Sequence, residues 1–532
     1  MEKFLESSFL SQPLLPLVNL QVPVLSLIPS PKVQLPFDTL VVLCLTISLV
    51  VFLLINDYRK THLTRIAKMI KKLPGSPHRI PFIGQSYLLL GPAWNTQEVF
   101  SSYLRKYGTV CRMWIGDKAY ILISDVSAAQ KILGAPDLFE KASAYDNLRD
   151  FAGTGLLTSS GEQWKTDRKS LNHAFNHQLF TGFIKIFNHE TNILMSKLEN
   201  ECGNPANLYP YFLTATLDMV LQAGLGVELN LQEKTADNIY ATAINNLLSG
   251  THIRLFKPHL YNIPFVYRLI GRHQLEKKSI AHIYKICDIA RKRKQNEIKE
   301  TKTDDDKMRT KPFLDILMDR TPQPTEKEYC DHLVTIIGAG AETTASSIYE
   351  TLFFLALNSD HQKKAQEEVD TIIGSEMREL TLADISEAKY LEMCWKEAMR
   401  VKPPVAMVAR KLTRDVTLDD GSILPNGAEV AIFIHHMHQD PEVYPNPKKF
   451  DPLRFAPEEC LKRNAYSYLP FSMGNRNCIG LKYAQLEAKL ILMYVLKKFN
   501  VTTKQRLEDI KFIFGVPAIP FPQFEVILER RT

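Results

Sequence analysis

One cysteine, Cys478, lies in a segment whose composition suits a thiolate bound to a metal. The segment is FSMGNRNCIG, at 471–480, and an apolar run that we predict to be helical follows it from Leu481 to Phe499. Its glycines let the backbone approach a flat macrocycle closely, and Arg476 can form a charge-assisted pair with a propionate. A helix that begins after a cysteine turns its positive end toward the sulfur and favours the thiolate. The segment therefore predicts that Cys478 ligates haem iron, the alternative being a buried free cysteine.

A second segment combines glycine and threonine inside a helical pattern. It reads GAGAETT, at 338–344, within an apolar-periodic run from Glu326 to Leu357, which corresponds to about 48 Å of helix. Both residue types are poor helix formers, and the hydroxyl of Thr343 can bond the carbonyl four residues back, at Ala339. We expect the helix to loosen here and to leave a groove beside the haem where O₂ can lie. The alternative is a core helix with small residues for close packing.

Two further pairs have spacings that place their side chains on one helix face. Glu397 and Arg400 carry opposite charges at positions i and i+3, which on a surface helix contributes only about 0.2–0.5 kcal/mol. Trp164 and Arg168 are at i and i+4, so both can reach one propionate. The Trp–Arg spacing is common by chance, and neither pair indicates a site by itself.

Together, these motifs resemble the cytochrome P-450 superfamily of haem-thiolate monooxygenases, from about Leu73 to near the C-terminus. The resemblance implies a mainly α fold with small β-sheets, the cytochrome P-450 fold, preceded here by one N-terminal transmembrane helix. It implies haem b, held non-covalently, with Cys478 as the axial ligand of the iron. The residues that it assigns to haem binding are Trp164, Arg168, Arg410, Phe471, Gly474, Arg476, Cys478 and Gly480.

The resemblance also assigns catalytic and supporting roles. Glu342 and Thr343 match the acid–alcohol pair that relays protons to dioxygen so that its O–O bond can be cleaved. The supporting residues match a buried triad that fixes the geometry of the cysteine segment, and a histidine that precedes a proline-rich stretch. They are Glu397, Arg400 and Arg454 for the triad, and His438 for the histidine.

Three segments closely resemble family four of the superfamily, which is of the microsomal type: GTGLLTSSGEQW at 153–164, HAF at 173–175 and YSYLPFS at 466–472. Many members of that group hydroxylate fatty acids at or near the ω carbon. Much of the group has a glutamate, able to esterify a haem methyl, where this chain has Ala339. Because alanine cannot form this ester, we expect non-covalent haem, and we do not expect strict selectivity for the terminal carbon.

Composition agrees with a large folded protein that faces the cytosol. The chain has 532 residues, 45% of them hydrophobic, and a net charge of +7, which gives no nucleic-acid signature. Its eight cysteines form no Cys-x-x-Cys pair, which is typical of reduced thiols. Short strands are predicted at 119–124 and 428–435 within an otherwise helical pattern.

The first part of the chain predicts a membrane anchor. Residues 39–55 carry no charge over 17 positions, and six basic residues follow between 59 and 72, so the C-terminal side should face the cytosol. A buried core helix and a cleaved signal are the alternatives. We divide the chain into a tail of unassigned role at 1–36, an anchor at 37–58, a basic and proline-rich connector at 59–84 and a catalytic domain at 85–532. The resemblance implies that the stretch 251–273 is the lid over the substrate channel, which often dips into the bilayer; the alternative is plain core.

The resemblance implies a monooxygenase of the endoplasmic reticulum membrane whose catalytic domain faces the cytosol. It would insert one oxygen atom of O₂ into a small lipophilic substrate: a fatty acid, a hormone-like lipid or a xenobiotic. Electrons would come from NADPH through NADPH-cytochrome P-450 reductase, with cytochrome b5 as a further partner, because no flavin or nicotinamide fingerprint is visible in the chain. The alternatives are a lipid peroxide isomerase or dehydratase of the same fold, which would need no Glu342–Thr343 relay, and a non-enzymatic haem or lipid-binding protein.

Overall fold

The structure, a computed structural model, describes residues 37–531 except 234–238, 262, 301–312 and 320–323. The tail at 1–36 therefore lies outside the described residues. The chain divides into two compact units between Ile55 and Asn56. As the sequence predicts, the described part is mainly helical with small sheets.

The α-helices of the described residues are α1 (Phe37–Tyr58), α2 (Arg65–Ile70), α3 (Thr96–Tyr107), α4 (Val126–Leu133), α5 (Arg149–Ala152), α6 (Gly161–Leu171), α7 (His177–Leu198), α8 (Tyr209–Leu225), α9 (Ile239–Phe256), α10 (Pro258–Tyr261), α11 (Pro264–Leu269), α12 (Arg272–Glu300), α13 (Phe313–Met318), α14 (Glu326–Leu357), α15 (Ser359–Ile373), α16 (Leu382–Glu387), α17 (Lys389–Val401), α18 (Ile434–Met437), α19 (Pro457–Cys460) and α20 (Leu481–Lys498). The strands are β1 (Val110–Ile115), β2 (Lys118–Ile123), β3 (Val408–Lys411), β4 (Val416–Thr417), β5 (Ile423–Leu424), β6 (Glu429–Ile432), β7 (Phe499–Thr502), β8 (Lys511–Ile513), β9 (Ile519–Phe521) and β10 (Ile527–Arg530).

Helix α14 runs through the core of the larger unit. It begins at a capping box, in which Thr325 and Glu328 each bond the other's backbone N–H group. Gly340 lets α8 approach closely, because a Cβ there would lie 2.8 Å from a methyl carbon of Val220. The hydroxyl of Thr216 on α8 also donates to the carbonyl of Ala341 at 2.9 Å. The predicted helix from 326 to 357 is confirmed, and its neighbours hold it as a rigid wall for the site.

A four-stranded sheet in the order β1-β2-β6-β3 forms a second wall. Strands β1 and β2 are an antiparallel hairpin, β2 pairs with β6 in parallel, and β3 pairs with β6 antiparallel. The two predicted strands are thus present, but the second ends at Ile432 and the prediction that it continues to His435 is wrong. Its parallel partner ends at Ile123, so the ladder stops and residues 434–437 form the short helix α18.

Helix α1 carries the predicted membrane segment. Among the described residues, the stretch Asp38–Leu63 is the one helical segment long and apolar enough to cross a bilayer. None of the residues in its most apolar window is buried. By length and composition, it is a candidate transmembrane span.

Residues 57–84 are held in the second unit by specific contacts. Asp57 accepts hydrogen bonds from both terminal nitrogens of Arg79, at 2.7 and 2.6 Å. Ile70 is fully buried, and Arg112 on β1 donates its backbone N–H to the carbonyl of Pro74 at 2.8 Å. The basic and proline-rich stretch therefore packs against the sheet.

Candidate active site

A large cavity lies between α14, the sheet, α9 and the cysteine segment. Its volume is about 360 Å³, which is within the range of small-molecule sites. The thiol of Cys478 lies deep in the protein, yet much of its surface is open to this cavity. Five of the eight residues predicted to bind haem line the cavity: Trp164, Arg168, Phe471, Arg476 and Cys478.

The backbone of the cysteine segment is a tight loop. Cys478 donates its N–H to the carbonyl of Phe471 at 2.9 Å, and helix α20 begins three residues later at Leu481. Gly474 has a positive φ of 75°, and a Cβ there would lie 1.7 Å from the carbonyl oxygen of Leu133. Position 474 therefore requires a glycine, because the turn needs a positive φ and the end of α4 leaves no room for a side chain. Gly480, at φ −90°, has only ordinary contacts around a Cβ position, the nearest at 3.9 Å.

Two neighbours act on the sulfur of Cys478 against the effect of burial. Burial raises the pKa of the thiol, and the backbone N–H of Gly480 and the charge of Arg168 lower it in part. The N–H group of Gly480 and the charge of Arg168 thus favour the thiolate, but burial outweighs them. A metal that coordinates a thiol deprotonates it outright.

Several cations surround the same end of the cavity. Arg168 donates to the backbone carbonyl and the side-chain oxygen of Asn477, both at 2.7 Å, next to the cysteine. Arg476 lies over the ring of Trp164 at 3.9 Å and donates to three backbone carbonyls, those of residues 139, 156 and 159. Because a guanidinium has five N–H groups, two of those on Arg476 are left for a ligand.

Lys141 and Arg410 form a second pair of buried cations. Their backbones meet in an isolated antiparallel bridge. Burial and the charges of Arg410 and Arg476 hold the pKa of Lys141 well below its usual range. Arg410 is 1% exposed and, among the described residues, hydrogen-bonds only the carbonyl of its neighbour Ala409. It does not line the cavity itself, whereas Ala409 and Lys141 do.

This donor set fits a haem with two propionates. None of Lys141, Arg168, Arg410 and Arg476 makes an ion pair within the described residues, although the charge of Glu140 acts on Arg476. Clustered buried cations repel one another and need anions. A thiol open to an apolar cavity, with unpaired cations beside it, has the chemistry of a haem-thiolate pocket. No sequence motif predicts Lys141 as a residue of the site, because only the pairing of its chain segment with β3 brings it beside Arg410.

On α14 the expected threonine bonds are present. Thr343 donates to the carbonyl of Ala339 at 2.7 Å, and Thr344 to that of Gly340 at 3.0 Å. The expectation that the helix loosens is wrong, since α14 is continuous from Glu326 to Leu357. The groove arises because Gly338 and Ala339, which line the cavity, have almost no side chain.

Glu342 faces away from the cavity that Thr343 lines. It is fully buried, and neither carboxylate oxygen accepts a hydrogen bond of normal geometry within the described residues. Burial raises the pKa of Glu342 to about 7, and the nearby hydroxyl of Tyr209 on α8 acts in the opposite direction. The two members of the expected acid–alcohol pair therefore lie on different sides of α14.

The buried triad is present, but its two arginines differ in how closely they contact Glu397. Glu397 and Arg400 are both fully buried and joined by two bonds, of 2.7 and 2.9 Å. Arg454 reaches Glu397 only at 3.4 Å and donates instead to the carbonyl of Asn446. Burial raises the pKa of Glu397 despite these cations.

The triad connects to the cysteine segment through His438. Arg400 donates to the carbonyl of His438 at 2.8 Å, and the ring Nε2 of His438 accepts the backbone N–H of Leu469 at 2.9 Å. Burial lowers the pKa of His438 to about 3, so its ring stays neutral and can accept this bond. Leu469 in turn precedes Phe471, whose carbonyl holds the N–H of Cys478.

Comparisons with known proteins agree with this site. A family model described as Cytochrome P450 matches residues 74–522. The chain belongs to the cytochrome P450 family. It is similar to Cytochrome P450 4c21 of Blattella germanica, at 31% identity over 92% of this chain and 99% of that protein. It is also similar to Cytochrome P450 4c3 of Drosophila melanogaster, at 30% over 88% and 90%, and to Cytochrome P450 4V2 of Mus musculus, at 30% over 81% and 86%.

These matches confirm the predicted superfamily and its fold, and the three relatives all carry family-four names, as the three quoted segments predict. The chain is a cytochrome P450 monooxygenase, and haem bound by a cysteine thiolate is the cofactor that its family implies. The cation cluster and the open thiol at one cavity end are the features of this chain that fit that cofactor.

Proposed function

We propose that this cytochrome P450 inserts one oxygen atom of O₂ into a lipophilic substrate held in the cavity, with Cys478 as the thiolate ligand. The observation that supports it best is the thiol of Cys478, open to an apolar cavity beside buried cations without carboxylate partners. When bound, the haem would activate O₂ and supply the oxygen that enters the substrate.

The cations would hold the two propionates. Lys141 and Arg410 have few protein partners, and Arg476 keeps two N–H groups beyond its three carbonyl bonds. Arg168 would contribute mainly by its charge, because its bonds to Asn477 hold the residue next to the cysteine. Trp164 would keep the guanidinium of Arg476 in place by stacking at 3.9 Å.

The hydroxyl of Thr343 would transfer protons into the cavity. Its hydroxyl hydrogen is donated to Ala339 at 2.7 Å, so its oxygen is free to accept a bond from a water or from the reacting group. By rotating away from the Ala339 carbonyl, the hydroxyl can then donate in its turn. Glu342, buried with a pKa near 7, would store and release the proton on the other side of the helix.

Electrons would come from NADPH through NADPH-cytochrome P-450 reductase, with cytochrome b5 as a further donor. We place the protein in the endoplasmic reticulum membrane, with the catalytic unit facing the cytosol. The support for this is the apolar span Asp38–Leu63 and the basic residues that follow position 58. A truncation that begins at Asn56 keeps Asp57 and its bonds to Arg79, so it should still bind haem and partition less into membranes.

The Cys478→Ser variant tests the assignment. It should lose the far-red-shifted Soret band of the ferrous carbon monoxide complex, because an alcohol oxygen cannot replace the thiolate. Cys460→Ser is the matched control, since Cys460 is exposed and does not line the cavity, and it should keep the band. A band that survives in Cys478→Ser would contradict the assignment. NADPH consumption with added reductase then separates a monooxygenase from a peroxide isomerase, which needs no reductant.

A further inference from the structure

The cations that line the cavity are all gathered at its cysteine end. Among the described residues they are Lys141, Arg168 and Arg476. Arg168 bonds Asn477, and Arg476 is two positions before Cys478. The charge of Arg476 lowers the pKa of Lys141. Under the proposed function these three groups, with Arg410, serve the haem propionates.

The remaining wall offers a substrate no charge. No described residue that lines the cavity is an aspartate or a glutamate, and the polar groups away from the cysteine end are hydroxyls such as those of Tyr120 and Thr335. The hydroxyl of Thr335 is already donated to the carbonyl of Asp331 at 2.9 Å. The rest of this wall is apolar and includes Phe100, Leu122, Leu248, Phe256, Met407 and Phe514.

Arg254, a buried cation on the cavity-lining helix α9, is already paired. It is 3% exposed and donates to Glu276 at 2.5 Å and to Asp150 at 2.9 Å, and it does not line the cavity. The hydroxyl of Tyr261 and the carbonyl of Asn147 accept further bonds from it. A carboxylate would have to displace these partners to reach the guanidinium, so Arg254 offers no site for an acidic head group.

We propose that the substrate is an uncharged lipid, such as an ester, an alcohol, a terpenoid or a hydrocarbon, and that a free fatty-acid carboxylate is excluded. This inference rests on the proposed function, because it assigns the cysteine-end cations to haem. A carboxylate placed along the apolar wall would be desolvated without a partner, which is costly. An ester or an alcohol of the same chain length carries no charge, so its burial against this wall costs much less.

Spectral titration of the full-length holoenzyme tests this directly. Methyl palmitate and palmitic acid have the same chain and differ in charge at pH 7.4. The ester should shift the ferric Soret band with an affinity at least tenfold higher than that of the acid. An acid that binds as tightly as the ester, or more tightly, would overturn the proposal.

A third probe, 1-dodecylimidazole, separates this proposal from the function on which it rests. Its ring nitrogen coordinates the iron, so a shift with this probe shows that the haem is reachable from the cavity. If the imidazole binds but neither palmitate probe does, the uncharged-lipid class is wrong. If the imidazole produces no shift and the carbon monoxide band is absent, the haem assignment itself fails.

A charge-adding variant checks the physical reason. Leu248 on α9 lines the cavity and is partly buried, so a lysine there can extend its stem along the apolar wall. Leu248→Lys should raise the affinity for palmitic acid relative to the ester by at least tenfold, and Leu248→Gln, which adds polarity without charge, should not. An unchanged ratio in haem-loaded Leu248→Lys would contradict the charge argument. If Leu248→Lys does not load haem, the comparison in the unmodified protein still decides the proposal.

Discussion

Replacing Arg400 with methionine should destabilise the protein far more than a surface ion pair would. Arg400 is fully buried, makes two bonds to Glu397 and donates to the carbonyls of His438 and Pro447 at 2.8 and 2.7 Å. Its loss leaves Glu397 buried with the backbone N–H of Asp451 as its main remaining donor, at 2.9 Å. Removing one partner of such a pair costs about 3–5 kcal/mol of unfolding free energy.

The matched control is Arg454→Ala. Arg454 is the outer member of the triad, 3.4 Å from Glu397 and without a hydrogen bond to it. We expect this variant to cost about 1 kcal/mol or less, because the Arg400–Glu397 bonds remain. The double variant Glu397→Leu with Arg400→Met should recover part of the loss, since no unpaired charge is left in the interior.

Two measurements are needed for each variant: the free energy of unfolding in urea and the haem content per polypeptide. The haem content should fall in Arg400→Met and in the double variant alike. Both lose the bond to the His438 carbonyl that supports the backbone leading to Cys478. If Arg400→Met unfolds within 1 kcal/mol of the unmodified protein, or if Arg454→Ala costs as much, the reasoning from burial is refuted. Full haem content in the double variant would show that the triad does not position the cysteine segment.

The other predictions concern α14 and the cofactor. Thr343→Ala should keep haem and substrate binding but release peroxide in place of product, because the hydroxyl that carries protons into the cavity is gone; unchanged coupling of NADPH use to product would count against this role. The free energy of unfolding of Glu342→Gln, relative to that of the unmodified protein, should increase as pH rises. The pKa of Glu342 is raised to about 7 from an unfolded value near 4.5. Ionisation of this buried carboxyl therefore costs no unfolding free energy below pH 4.5 and about 3 kcal/mol above pH 7. Urea unfolding of both proteins at pH 5 and pH 8 measures this, and a pH-independent difference would contradict it. Haem should be extracted by acidic solvent, because no described residue that lines the cavity has a carboxylate to form an ester, and haem retained on the denatured chain would disprove this.

Local patterns were enough to predict the parts of the site that lie close together in the chain. The helix from 326 to 357 follows from its apolar period, and the bond from Thr343 to Ala339 follows from a four-residue spacing. The start of α20 after Cys478 follows from the apolar run behind the glycine. Such features depend on neighbours within one or two helical turns, which the sequence displays directly.

Other details were decided by contacts between distant segments. Gly474 is needed because the loop passes the carbonyl of Leu133, and the strand that was predicted to reach His435 stops where its partner β2 ends. Glu342 turns toward α8 because helix α14 is packed so that Thr343 faces the cavity. A spacing along one helix does not say which face its neighbours will cover.

The amino-acid sequence by itself determined the family, the cysteine that opens to the cavity and the long helix beside it, because each depends on residue types at fixed local spacing. The tertiary structure alone decided which charges share the site. Lys141 meets Arg410 across a β-bridge between segments almost 270 residues apart, and Arg254 is withdrawn from the cavity by Glu276 on another helix. Charge pairing acts through space over a few ångströms, so only the folded chain shows which cations are left for a ligand.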